Sequence, residues 1–134
     1  MRTAFLSILM TVMIVLPALA QKNPVPTKTP TGPLPVFGWE QEEKDFGTIA
    51  MGVPVKAEFS FRNTGKAPLV IKDVRKSCGC TSVSFPREPI MPGKTGSITA
   101  EYDASDMGVF NKKLTVLANT SEGMHTLTIK GNVK

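Results

Sequence analysis

Two cysteines stand two residues apart in Lys76-Ser77-Cys78-Gly79-Cys80-Thr81, and the 134-residue chain has no others. Three kinds of chemistry are open to such a pair. The cysteines can form a disulfide with each other, they can stay structural or free thiols, or both thiolates can bind a soft metal such as Cu(I) or Zn(II). Residues two apart on an extended strand have Cα atoms about 6.5–7 Å from each other, at the limit for a disulfide. Gly79 can bend the backbone and shorten that span. So small a ring is relatively easy to reduce. A metal would need more ligands. His125 is the single histidine, and Met51, Met91, Met107 and Met124 are further soft donors. Their spacing does not bring them together, so no metal site is assigned. The expectation for His125, which follows Met124 in the last strand, is a solvent-facing or edge-strand side chain.

Other chemistry is poorly served. Two cysteines cannot build a four-thiolate zinc site or a disulfide-rich scaffold. The chain has no G-x-S-x-G and no glycine-rich phosphate loop at a strand–helix junction. A dyad of Cys78 or Cys80 with His125 lacks a third, orienting group. Glu101, Asp103 and Asp106 are oxygen donors of the kind calcium takes, but they do not follow the EF-hand spacing. Asn119-Thr120-Ser121 matches a glycosylation acceptor, a three-letter pattern that chance often supplies. No catalytic residue and no cofactor is expected. The formal charge is +5, yet basic residues come no more than two in a row, as at Arg75-Lys76. Nucleic-acid binders show a denser basic stripe with interleaved aromatics, so that partner class is not expected.

The elements that must position these residues begin after an N-terminal address. Arg2 precedes an uncharged run from Ala4 to Ala20, broken by Pro17 and closed by Ala18-Leu19-Ala20. This is the n-region, h-region and cleavage site of an export signal, predicting cleavage after Ala20 and no membrane span in the mature chain. Residues 21–35 hold five prolines and read as an extended linker or tail. From about Val36 the pattern changes to period two. Val53, Val55, Ala57, Phe59 and Phe61 alternate with Pro54, Lys56, Glu58, Ser60 and Arg62, which predicts a strand with one wet face. Similar runs occur at 44–49, at Leu69 and Ile71, at Val83 and Phe85, at 98–102, at 110–118 and at 127–133. Turn residues separate them, as at Asn63-Thr64-Gly65-Lys66, Pro92-Gly93 and Asn119 to Gly123. No window carries a capped helical stripe. About seven strands in some 95 residues predict an all-β, immunoglobulin-like β-sandwich over residues 36–134. Cysteines two residues apart cannot be the inter-sheet bridge of a true immunoglobulin domain.

Several segments line up in order: Asp45-Phe46-Gly47-Thr48-Ile49, Phe59-Ser60-Phe61-Arg62-Asn63-Thr64-Gly65, Pro68-Leu69-Val70-Ile71, Ser77-Cys78-Gly79-Cys80-Thr81, Pro92-Gly93 and Gly131-Asn132-Val133. Together they resemble domain-of-unknown-function family 1573, secreted or periplasmic bacterial proteins, over about residues 40–134. That family is similar to the immunoglobulin-like group that includes major sperm protein, ciliary and spindle-associated domains and the pilus chaperones. The resemblance implies a seven-stranded sandwich and an envelope location. It supplies no activity and no catalytic residue, and it leaves the role of the Cys-x-Cys position open.

The resulting expectation is an exported, non-enzymatic binding or scaffold module, periplasmic or secreted, whose partner is a protein or peptide of the bacterial envelope. The alternative is a thiol-redox or soft-metal protein using Cys78 and Cys80. Oligomeric state is not readable from the residues.

Overall fold

Alternation of apolar and polar side chains divides the chain into strands whose inward faces meet. The computed structural model describes residues 32–134. The expected export signal at 1–20, and the linker as far as residue 31, lie outside the described residues. Eight strands follow in order: β1 Phe37–Trp39, β2 Glu43–Ile49, β3 Val55–Asn63, β4 Ile71–Lys76, β5 Thr81–Ser84, β6 Thr95–Tyr102, β7 Gly108–Ala118 and β8 Met124–Val133. No helix is present among them.

They form two four-stranded sheets, β1-β3-β6-β5 and β2-β8-β7-β4. All pairings are antiparallel except β2 with β8, which run parallel from Glu43↔Thr128 to Ile49↔Val133. The core lies between the sheets. β3 and β6 contribute Ala57, Phe59, Phe61, Ile98, Ala100 and Tyr102, and the facing sheet contributes Val74, Phe110, Leu114, Val116, Leu127 and Ile129, all buried. The outward residues of β3, such as Lys56, Glu58 and Arg62, are exposed. Tyr102 stacks on Phe110 across the sandwich at 4.3 Å. The all-β sandwich expected from periodicity is therefore present.

Three details depart from expectation. The strand count is eight, because Phe37-Gly38-Trp39 pairs with Phe61–Asn63 and is too short to show alternation. The linker ends earlier than residue 35. Lys66 N–H donates to Leu34 C=O at 3.2 Å, and Pro35 is buried. Leu69 makes only an isolated bridge to Ile90, so β4 starts at Ile71.

One irregularity shapes the β2–β8 pairing. The register shifts between Asp45 and Thr48, and Gly47 takes φ +63° with its N–H donating to Asp45 Oδ1 at 2.8 Å. This is a bulge that glycine accommodates without strain. Gly131 lies against it, where a Cβ would meet the Phe110 ring at 2.8 Å and Gly47 O at 2.9 Å.

Candidate functional site

Cys78 and Cys80 lie in the turn by which the chain leaves β4 and crosses to β5 in the other sheet. Because this is a turn, their Cα atoms stand 5.3 Å apart rather than at strand spacing, and in the structure the two sulfurs are bonded to each other. Backbone hydrogen bonds hold both flanks. On one side Ser77 N–H donates to Lys113 C=O and Lys113 N–H donates to Ser77 Oγ, both at 3.1 Å. On the other, Asp103 N–H donates to Cys80 C=O at 3.1 Å, and Thr81 pairs with Tyr102. Thr81 is buried, and its Oγ1 lies 3.6 Å from Cys78 Sγ. Gly79 is exposed, and a Cβ placed on it would touch nothing within 4 Å.

The crossing has a second effect. β4 stops at Lys76, opposite Leu114, but β7 continues back to Gly108. Lys113 directs its N–H and C=O toward Ser77, so Asn111 and Val109, two and four residues away, point theirs the same way. Among the described residues no backbone hydrogen bond reaches those groups. The edge is apolar at Val109 and basic at its Lys112–Lys113 end. Val109 is 85% exposed, and Lys76, Lys112 and Lys113 make no ion pair among the described residues. Met51, Val53 and Met107, all more than half exposed, lie in the loops at this end of the sandwich.

His125 is neither solvent-facing nor on an edge strand. It shares the parity of Leu127 and Ile129, so its ring turns inward, and β8 lies between β2 and β7. The ring packs edge-on against Phe37 at 4.7 Å. Its Nε2 lies 2.9 Å from Thr120 Oγ1 and its Nδ1 3.4 Å from Glu122 Oε2. Hydroxyl, imidazole and carboxylate all belong to the β7–β8 hairpin, where they tie the turn to the aromatic cluster of Phe37, Trp39 and Phe61. A cavity of about 210 Å³ opens beside them, lined by Pro35, Phe37, Trp39, Glu122 and His125. Trp39 Nε1 is buried and has no hydrogen-bond partner among the described residues.

The remaining sequence candidates disperse. Among the described residues no three His, Cys, Asp or Glu side chains gather as a metal site, and His125 does not meet the cysteines. Glu101 pairs with Lys56 at 3.2 Å, while Asp103 Oδ1 accepts from Ser105 N–H at 3.1 Å. Burial, then the charges of Asp106 and Asp103, push the Tyr102 hydroxyl above its usual range. Met51 and Met107 lie in loops at the β7-edge end, whereas Met124 begins β8 at the other. Asn119 uses its amide within the fold: Nδ2 donates to Pro68 C=O at 2.9 Å and Oδ1 accepts from Val70 N–H at 2.8 Å. The open stretch of β7, Thr81 beside the sulfur and the Thr120–His125–Glu122 chain escaped sequence reasoning. Only the last left a signal, two polar groups within one predicted turn and a histidine just beyond it.

No helix of the described residues is long and apolar enough to cross a membrane. Among solved structures, the fold is similar to a protein of unknown function from Porphyromonas gingivalis W83, at 19% identity and TM-score 0.65, over 73% of this chain and 46% of that one. It is similar to the Vibrio cholerae VesB protease at 16% identity and TM-score 0.58, over 73% of this chain and 31% of that one. It is also similar to PapD-like domain 7 of human CEP192, at 8% identity and TM-score 0.60, covering 84% of that domain. The chain thus spans about half of the first of these proteins and about a third of the second. At such identities the likeness concerns the fold, which is that of the immunoglobulin-like, PapD-like sandwiches. No curated protein matches the chain. The family model described as "Protein of unknown function (DUF1573)" matches residues 37–133, the whole sandwich from β1 to the end of β8, and the chain belongs to that family.

Proposed function

We propose that this domain is an exported, non-enzymatic binding module of the bacterial envelope, and that it holds an extended acidic segment of a partner protein as an added strand along β7. One observation carries the proposal: Val109 and Asn111 present unpaired N–H and C=O groups on a strand whose other half is fully paired. An extended peptide satisfies such groups by β-augmentation, and alternate side chains then give specificity. Lys76, Lys112 and Lys113 stand where the open stretch meets the end of β4 and favour acidic residues at that end of the added strand. Export is supported by the apolar run and Ala18-Leu19-Ala20 of the sequence.

A random peptide display library tests this. The enriched peptides should alternate acidic and apolar residues and protect the Val109 and Asn111 amides from hydrogen exchange. Asn111→Pro removes an outward N–H and leaves the β8 side of the strand paired. It should weaken binding about tenfold, the worth of one or two hydrogen bonds. Peptides that bind Asn111→Pro as well as the unaltered protein would refute docking on this edge.

A further inference from the structure

We propose that Cys78 and Cys80 form a dithiol–disulfide exchange centre, trading two electrons and two protons with a cysteine pair of another protein. This goes beyond strand binding and stands on different residues.

The first support is that the bond staples nothing. It spans the single residue Gly79, so it closes a very short loop and constrains the unfolded chain little. The strands on either side are already fixed by hydrogen bonds that involve no sulfur, from Ser77 to Lys113 and from Asp103 to Cys80 C=O. Opening the disulfide leaves β4 and β5 in place. The second support is access. Gly79 is exposed with open space above it, and both cysteines are only half-buried. A partner's sulfur can therefore reach the turn without displacing any packed side chain.

The third support is that the two sulfurs have different surroundings. Cys80 packs against the apolar core. Cys78 does not; its Sγ lies beside the Thr81 hydroxyl, which is placed to donate to a thiolate, and Lys76 is two residues away. A hydrogen-bond donor favours the reactive, anionic sulfur, whereas apolar packing favours the protonated one. Cys78 is therefore the exchanging sulfur and Cys80 the resolving one.

The steps balance as follows. In the reduced protein, Cys78 thiolate attacks one sulfur of a partner disulfide. The Cys78–partner S–S bond forms, the partner's own S–S bond breaks, and the departing partner thiolate takes up the proton of the Cys80 thiol. Cys80 thiolate then attacks Cys78 Sγ, forming Cys78–Cys80 and expelling the second partner thiolate, which is protonated from solvent. The partner disulfide is reduced to a dithiol and this protein is oxidised by two electrons. With a reduced partner the same steps run backwards.

Glutathione disulfide serves as the probe. Reduced Cys80→Ser protein should accumulate one glutathione adduct on Cys78 by intact mass, and Cys78→Ser should react at Cys80 about tenfold more slowly. The unaltered protein should pass through the adduct and close to the internal disulfide, while its circular dichroism stays constant across a glutathione redox titration. Thr81→Val should slow adduct formation about tenfold and Thr81→Ser should restore it, which separates the hydroxyl from packing. Equal rates at the two cysteines, no adduct, or reduction that coincides with unfolding would each overturn the proposal. Because peptide binding at β7 is read separately, failure here leaves that result untouched.

Discussion

The two ends of the sandwich are built on opposite terms. At the end where β3 finishes and β6 begins, two asparagine side chains bind the backbone with both their amide atoms. Asn63 is completely buried. Its Nδ2 donates to Ala67 C=O and Ile90 C=O at 2.7 and 2.9 Å, and its Oδ1 accepts from Gly65 and Val36 N–H at 3.0 and 3.4 Å. Its backbone is bonded to Lys94 and Gly93. Asn119 fastens Pro68 and Val70 in the same manner. At the other end, β7 runs past its neighbour with backbone groups unpaired, four large apolar side chains are exposed, and a disulfide joins two residues already held in place. The contrast teaches that the fold concentrates its asparagine fastening at one end and its open strand edge and disulfide at the other.

Among single substitutions, Asn63→Ala should give the largest effect. It leaves the Ala67 carbonyl and the Gly65 and Val36 N–H groups without this partner and Ile90 C=O with Leu69 N–H alone, and should lower unfolding free energy by about 3 kcal/mol in a denaturant titration. A loss under about 1 kcal/mol would break the comparison. Gly65→Ala probes the same end through backbone. Its Cβ would fall 2.6 Å from Val36 N, 2.7 Å from Pro35 Cα and against Leu34 O, none of which can rotate away. A destabilisation of about 2–3 kcal/mol is expected, with increased exchange at the amides of Phe37 to Trp39. The double variant Cys78→Ser, Cys80→Ser should cost less than about 2 kcal/mol, because the loop it opens is so short. A larger loss would make the second end structural as well.

The smallest effect is one of pH. Burial raises the Tyr102 hydroxyl, and the Glu43 hydrogen bond and charge raise Lys130. In both cases the folded state keeps its proton longer than the unfolded chain. Their stabilisation is thus complete below about pH 10 and declines as pH rises through the folded values. Denaturant midpoints measured on either side of that pH should fall on the alkaline side, and Tyr102→Phe should flatten the decline.

Much of this was legible in the residues. Alternation in β3, β6 and β7 marked both the strands and their inward faces, because one side of each sheet is wet. The cysteine pair stood out because no other cysteine competes for either partner. What alternation could not carry was pairing. It does not say that β2 lies parallel to β8, nor that β4 ends before β7 does, since both depend on where a turn sends the chain. β1 is too short to show a period. Asn63 was read as a turn former, which it is, but its burial depends on carbonyls at Ala67 and Ile90 that only the folded chain brings near. His125 was misread because the loop before it hid the parity it shares with Leu127.

The place of β8 sets an order of events. It lies between β2 and β7, pairing one in parallel and the other antiparallel. Until Met124–Val133 is available, β2 has no strand beside it and one sheet is reduced to β7 and β4. The contacts that complete the domain are thus among the most distant in sequence, and loop closure delays them. An emerging chain stays an unfinished thread until its last strand arrives, and a membrane channel that passes only unfolded polypeptide would find it still threadable. Removing β8 should abolish folding altogether, where removing the short β1 would leave both sheets with their central pairs.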